Sequence, residues 1–176
     1  MVEGMTKNSI DFDFCENCLY RKQNRVSFPF CGKRAKHILE LVHSDVFGPM
    51  KVPSLVKSVY YVSFIDDFSR NTWIYFLKNK SKVFDKFKEF KALVENQIQK
   101  KIKVLRTNNS GEFCSKEFEE FYKKCGIAQH KTTPYTPEKL VVTKRMNKKL
   151  MEWGRSMLSG ARLGHEFWAE AVETTC

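Results

Sequence analysis

Three residues stand where the ends of strands and a helix would bring them together: Asp45 after one alternating segment, Asn108 after another, and Lys144 in the first turns of a helix. Ligand sites in open α/β sheets favour the carboxyl ends of strands, so this set is the first place to look for chemistry. Asp45 offers the hard oxygen donor that magnesium takes, although on its own it reads first as a solvated strand-end carboxylate. Asp66, Asp67 and Glu112 are the acids nearest by motif, but an Asp-Asp pair at a hairpin corner more often serves the turn and a neighbour such as Arg70. A second constellation is Cys15-x2-Cys18. Zinc closes a tetrahedron of four ligands, so two thiolates hold it weakly. Cys31 and His37 would complete an improvised set, because twelve residues separate Cys18 from Cys31 and five separate Cys31 from His37. A third group is Lys144, Arg145, Lys148, Lys149 and Arg155, cations on one helix that could take phosphates. Nothing among them forms a fork for reading base edges, so binding should be salt-sensitive and sequence-indifferent.

The elements that would position these residues follow from periodicity. Alternation from His37 to Asp45, closed by Gly48-Pro49, predicts a strand; Val59 to Asp66 and Thr72 to Leu77 predict two more, joined as a hairpin across Asp67 to Asn71. Ser81 is a candidate N-cap for a helix whose apolar stripe is Val83, Phe87, Phe90, Val94 and Ile98. A strand from Ile102 to Asn108 comes next. A helix then runs from the Ser115 cap through Phe118, Phe121, Tyr122 and Cys125 to Gly126, followed by a short strand from Ile127 to Thr133. The last helix carries Val142, Met146, Leu150, Trp153 and Met157 as one stripe, ends near Gly160, and turns its five cations away from that stripe. Three strands, then helix, strand, helix, strand and helix predict an α/β layer with an antiparallel portion leading and parallel crossovers following.

Composition narrows the class. The 176 residues suit one domain with a real core, and 42% hydrophobic residues with 8 Gly and 5 Pro exclude a disordered tail. Thirty-one Lys and Arg against 20 Asp and Glu leave +11, which points to a polyanion, nucleic acid ahead of a membrane surface. The run from Val59 to Ile65 is too short to span a bilayer, and Met1 to Ile10 has no apolar signal core, so the chain reads as intracellular. Its six cysteines then read as reduced thiols or metal ligands, with Cys114, Cys125 and Cys176 incidental.

Several strings carry a family resemblance. His43 to Pro49 (HSDVFGP), Phe64 to Arg70 (FIDDFSR), Trp73 to Leu77, Lys103 to Arg106, Thr133 to Pro137 (TPYTP) and Phe167 to Val172 (FWAEAV) resemble, in order, the integrase core of copia-type LTR retrotransposon polyproteins. The resemblance implies a ribonuclease-H-like mixed five-stranded sheet flanked by helices. It also implies three carboxylates, Asp, Asp and Glu, holding two magnesium or manganese ions for DNA strand cleavage and transfer. Two metals about 4 Å apart stabilise both the attacking and the leaving oxygen of a phosphodiester. In the family the second Asp opens a turn continued by Asn-Gly-Gly-Glu, and the Glu follows after thirty-five residues. The same thirty-five residues separate Asn108 from Lys144 here. The spacing is kept and two of three carboxylates are replaced, leaving Asp45 as the surviving metal ligand. Glu138-Lys139-Leu140-Val141 stands where the family has Gln-Gln-Asn-Gly. Cys15-x2-Cys18 resembles the second half of a His-His-Cys-Cys zinc knuckle.

These readings set expectations. Residues 1–36 are expected to be a zinc-knuckle remnant plus linker, and residues 37–176 a C-terminally truncated integrase core with its catalysis lost. The expected partner is DNA, with self-association as the resemblance implies; no membrane and no small-molecule substrate are expected, and a working protein would act in the nucleus. Two rivals are a non-catalytic DNA-binding module or unselected relic, and an active metal-dependent endonuclease using Asp66, Asp67 or Glu112 in place of the lost acids.

Overall fold

Alternating side chains make strands wherever both faces can be covered, and five segments do so here. A computed structural model describes residues 34–108, 111–131 and 141–176; the expectations for Cys15, Cys18 and Cys31, for the 1–33 segment and for the 138–140 loop fall outside them. The strands are β1 (Leu41–Phe47), β2 (Tyr60–Asp66), β3 (Thr72–Leu77), β4 (Val104–Thr107) and β5 (Ala128–Lys131). They lie in the order β3-β2-β1-β4-β5. β1 and β2 pair antiparallel, as do β2 and β3, whereas β4 runs parallel to β1 and β5 parallel to β4. This is the mixed sheet that the element order predicts.

Boundaries shift for local reasons. β1 begins at Leu41, not His37, because Leu39 turns left-handed at φ 62 and the Glu40 carboxylate accepts the backbone N–H groups of Lys36 and His37. The strand also runs on to Phe47, which places Asp45 inside it and not after its end. Gly48 follows at φ +124, where a Cβ would meet the Val59 carbonyl oxygen at 2.6 Å, so only glycine fits the close return of the chain. Helix α1 (Val83–Ile98) is led in by a 3-10 turn at Lys80–Lys82, so Ser81 is no N-cap. Helix α2 (Lys116–Cys125) has the expected ends: Ser115 Oγ accepts from the Phe118 N–H, and Gly126 is left-handed at φ 67.

The two sheet faces build separate cores. One face carries Val42, Val62, Phe64 and Leu105 against Val83, Phe87, Phe90 and Val94 of α1 and Phe118 and Tyr122 of α2. Phe64 stacks on Phe90 with ring centres 4.3 Å apart. On the other face lie Phe47, Tyr61, Ile74 and Phe76, covered by α3 (Val141–Ala161) and α4 (Trp168–Thr174). Periodicity had not predicted α4. Its first turn puts Trp168 into that core, and Gly154 of α3 admits it closely, since a Cβ there would lie 3.2 Å from Val172 Cγ2.

The phase of α3 differs from the stripe read in the sequence. Thr143, Asn147, Leu150, Met151, Gly154 and Leu158 face inward, whereas Trp153 is 49% and Met157 43% exposed. Polar Thr143 and Asn147 and the small Gly154 are invisible to an apolar count, and this rotates the buried face by more than half a residue step. Among the described residues no helix is long and apolar enough to cross a membrane.

Candidate functional site

Asp45 lies on the α3 side of β1, facing Ser63 of β2 across the antiparallel ladder, and the parallel register places Ser44 beside Thr107. Asn108, the next residue after β4, therefore reaches Asp45 from the neighbouring strand. Its amide Nδ2 donates to Asp45 Oδ1 at 2.9 Å. From α3, Asn147 donates to Asp45 Oδ2 at 3.4 Å while its own Oδ1 accepts from Ser63 Oγ at 3.1 Å. Both carboxylate oxygens are thus held by side-chain amides. Burial raises the Asp45 pKa from its usual 3.8 to about 6, against the pull of the Val46 N–H and Lys144.

Lys144 lines the same recess, of about 250 Å³, together with Lys148, Glu152 and Arg155. The structure therefore brings Asp45, Asn108 and Lys144 into one neighbourhood. It also divides the five cations that the sequence analysis placed on one face. Lys144, Lys148 and Arg155 sit on the flank of α3 facing the recess, whereas Arg145 and Lys149, about 100° further round the helix, are exposed elsewhere. Lys148 also meets Glu152 one turn on, at 3.7 Å.

The three substitute acids are engaged elsewhere. Asp66 accepts from the Leu39 N–H and from both the N–H and Oγ of Ser69. Asp67 meets buried His43 Nε2 at 3.0 Å and Arg70 at 3.3 Å, and accepts from the Ala35 N–H. Both lie at the hairpin corner, Asp66 three ladder pairs from Asp45, roughly 10 Å along the strand, and Asp67 one residue further. Burial outweighs the Asp67 hydrogen bond at His43 and lowers its pKa, so the imidazole stays neutral. Glu112 is electrostatically coupled to Asp45, but Lys80 Nζ lies 2.6 Å from its Oε1.

Sequence reasoning missed Ser63 and Asn147. A signal existed for Ser63: it is the polar residue amid the apolar β2 segment, and the ladder sets it opposite Asp45. Asn147 had only its spacing of three residues from Lys144.

Comparison with known proteins agrees with the fold. Residues 35–137 match the family model described as integrase core domain. The chain is 49% identical over 162 residues to the retrovirus-related Pol polyprotein from transposon TNT 1-94 of Nicotiana tabacum, covering 92% of this chain and 12% of that polyprotein. It is 35% identical over 157 residues to the Pol polyprotein from transposon RE2 of Arabidopsis thaliana, covering 89% and 11%. It thus spans about an eighth of those relatives' length. Among solved structures, the HTLV-2 integrase catalytic core domain in complex with magnesium (trimeric form) superposes with a TM-score of 0.58 at 18% identity, over 80% of this chain and 84% of that one. The simian T-cell lymphotropic virus intasome in complex with PP2A regulatory subunit B56 gamma gives 0.63 at 17%, over 81% and 50%. Those two show the fold alone.

Magnesium accompanies that solved core, but the donors that the described residues place around Asp45 do not fit a pair of dications. Among the described residues no group of three His, Cys, Asp or Glu side chains could hold a metal. The carboxylate at Asp45 already accepts from two amides, and Lys144, which lines the same recess, brings an ammonium group.

Proposed function

Because the chain belongs to the integrase core domain family as carried by copia-type retrotransposon Pol polyproteins, we propose that it is a catalytically silent integrase core that binds nucleic acid through the cations beside Asp45. The observation that carries this reading is the pair of amides from Asn108 and Asn147 on the Asp45 carboxylate, with Lys144 lining the same recess. Asn in place of Asp removes one negative charge, and Lys in place of Glu removes one and adds one, so the site is three charges less favourable to a dication. Unit charges about 4 Å apart interact by about 4 kcal/mol at an effective dielectric near 20, which one buried carboxylate does not offset.

What remains is a recess lined by Lys144, Lys148 and Arg155 on a chain of net charge +11. Phosphates would lie along that flank of α3, with counterion release supplying most of the affinity and no base-specific contact. The reading makes DNA the partner and the nucleus the place of action, with assembly into multimers as a further part of it. The rival endonuclease would need Glu112 to leave Lys80 and join Asp45. Calorimetric titration with magnesium and manganese, followed by duplex DNA binding in a chelator, tests the reading. No saturable metal binding and chelator-insensitive DNA binding are expected; saturable metal binding lost in Asp45→Ala would overturn it.

A further inference from the structure

A second recess, of about 370 Å³, opens beside the first and shares Phe47, Met151 and Arg155 with it. Its floor is apolar, formed by Phe47, Met151, Leu158 and Trp168, and its rim carries Lys51, Arg155 and His165. The outer wall is the segment after β1, which is pinned in place: the Trp168 Nε1–H donates to the Val52 carbonyl at 3.1 Å, and the Leu55 N–H donates to the Glu166 carbonyl at 3.2 Å. The cavity is therefore preformed, and it is large enough for a ring system with its attached sugar.

We propose that this recess takes one unpaired nucleobase from a nucleic-acid strand whose phosphates lie along Lys148 and Arg155. The proposal rests on the nucleic-acid-binding reading and adds to it a preference for strand ends or gaps over fully paired duplex. Charge complementarity selects the occupant. An apolar floor edged by Lys51 and Arg155 suits a flat ring tethered to a phosphate, whereas a second copy of a chain of net charge +11 would bring more cations to that edge. Continuity supports it too: Asp45 and Phe47 are two residues apart on the same face of β1, roughly 7 Å, so a strand crossing the first recess reaches the second within about one nucleotide.

The experiment compares, by fluorescence anisotropy with the full chain, a blunt duplex, the same duplex with one unpaired terminal nucleotide, and that duplex with the overhanging base removed. Stacking of one base on an apolar platform corresponds to about tenfold tighter binding for the overhang, lost in the abasic form. Val52 is 38% exposed on the rim, so Val52→Asp should abolish the preference without altering the thermal unfolding curve, and any affinity its charge removes beside Lys51 and Arg155 should be lost equally by the blunt duplex and the abasic overhang. 2-Aminopurine at the overhang should change in fluorescence with the wild type and not with Val52→Asp. Equal affinity for all three duplexes overturns the base pocket and leaves the phosphate reading standing. Binding of the overhang without binding of the blunt duplex supports the pocket and removes the duplex reading, and no binding of any duplex at low salt removes both. A concentration-dependent dimer broken by Val52→Asp would assign the recess to a second copy instead.

Discussion

Asp45→Asn should make the protein more stable at neutral pH, although Asp45 is the acid that the proposed reading retains from a metal-binding set. In the folded chain the Asp45 pKa is raised from 3.8 to about 6 by burial. A carboxyl raised in this way is protonated more readily in the native state than in the unfolded one. Its contribution is therefore fully present below 3.8 and is lost as the pH climbs through about 6. At about 1.4 kcal/mol per pH unit, that gap corresponds to about 3 kcal/mol by neutral pH. The replacement amide never ionises. Its oxygen can still accept from Asn108, but its NH2 faces the Asn147 amide, which must turn and disturb its bond with Ser63, at a cost of about 1 kcal/mol. The variant should thus gain about 2 kcal/mol near neutral pH and lose about 1 kcal/mol at low pH, where the wild-type carboxyl is protonated folded or unfolded. Urea denaturation of both proteins across the range checks this, and the difference between the curves isolates Asp45 from Asp67 and His43. Those two groups are both lowered and act in the opposite sense, losing stability as the pH falls. Parallel curves for wild type and variant would refute the burial argument. A variant less stable than wild type at neutral pH would show that the ionised carboxylate is compensated by charges such as Lys144.

Wild-type protein should neither nick nor join DNA in magnesium or manganese, and neither should Asn108→Asp or Lys144→Glu alone; the double variant, with the family's charge pattern rebuilt, should give weak nonspecific nicking in a plasmid relaxation assay. Lys148→Glu should weaken DNA binding at every sequence and flatten the salt dependence by about one to two counterions, whereas Lys149→Glu, on the outward face of α3, should do less; anisotropy over a salt series separates them. Asp67→Ala should cost about 3 kcal/mol in urea unfolding, because it strands the buried His43 ring and frees the Ala35 N–H and Arg70. Leu150→Ala should cost about 2 to 5 kcal/mol, whereas Trp153→Ser should cost under about 0.5 kcal/mol, a contrast that tests the phase of α3.

The strand stripes, the stripes of α1 and α2, the Ser115 and Gly126 ends of α2 and the order of elements from β1 to α3 were legible in the sequence because each depends on neighbours a few residues away. The spacing from Asn108 to Lys144 was legible too, and it singled out the two positions that the structure brings beside Asp45. What surrounds Asp45 was not. Asn147 lies 102 residues from Asp45 along the chain, and it is buried because it finds that carboxylate and Ser63 there, not because it is apolar. A count of apolar residues therefore turned α3 the wrong way, setting Trp153 and Met157 inward. The same rotation separates Lys144, Lys148 and Arg155 from Arg145 and Lys149. Tertiary structure decided these points because a polar side chain's burial is set by the partner that satisfies its hydrogen bonds, and pairing across a sheet or onto a helix leaves no local period in the sequence.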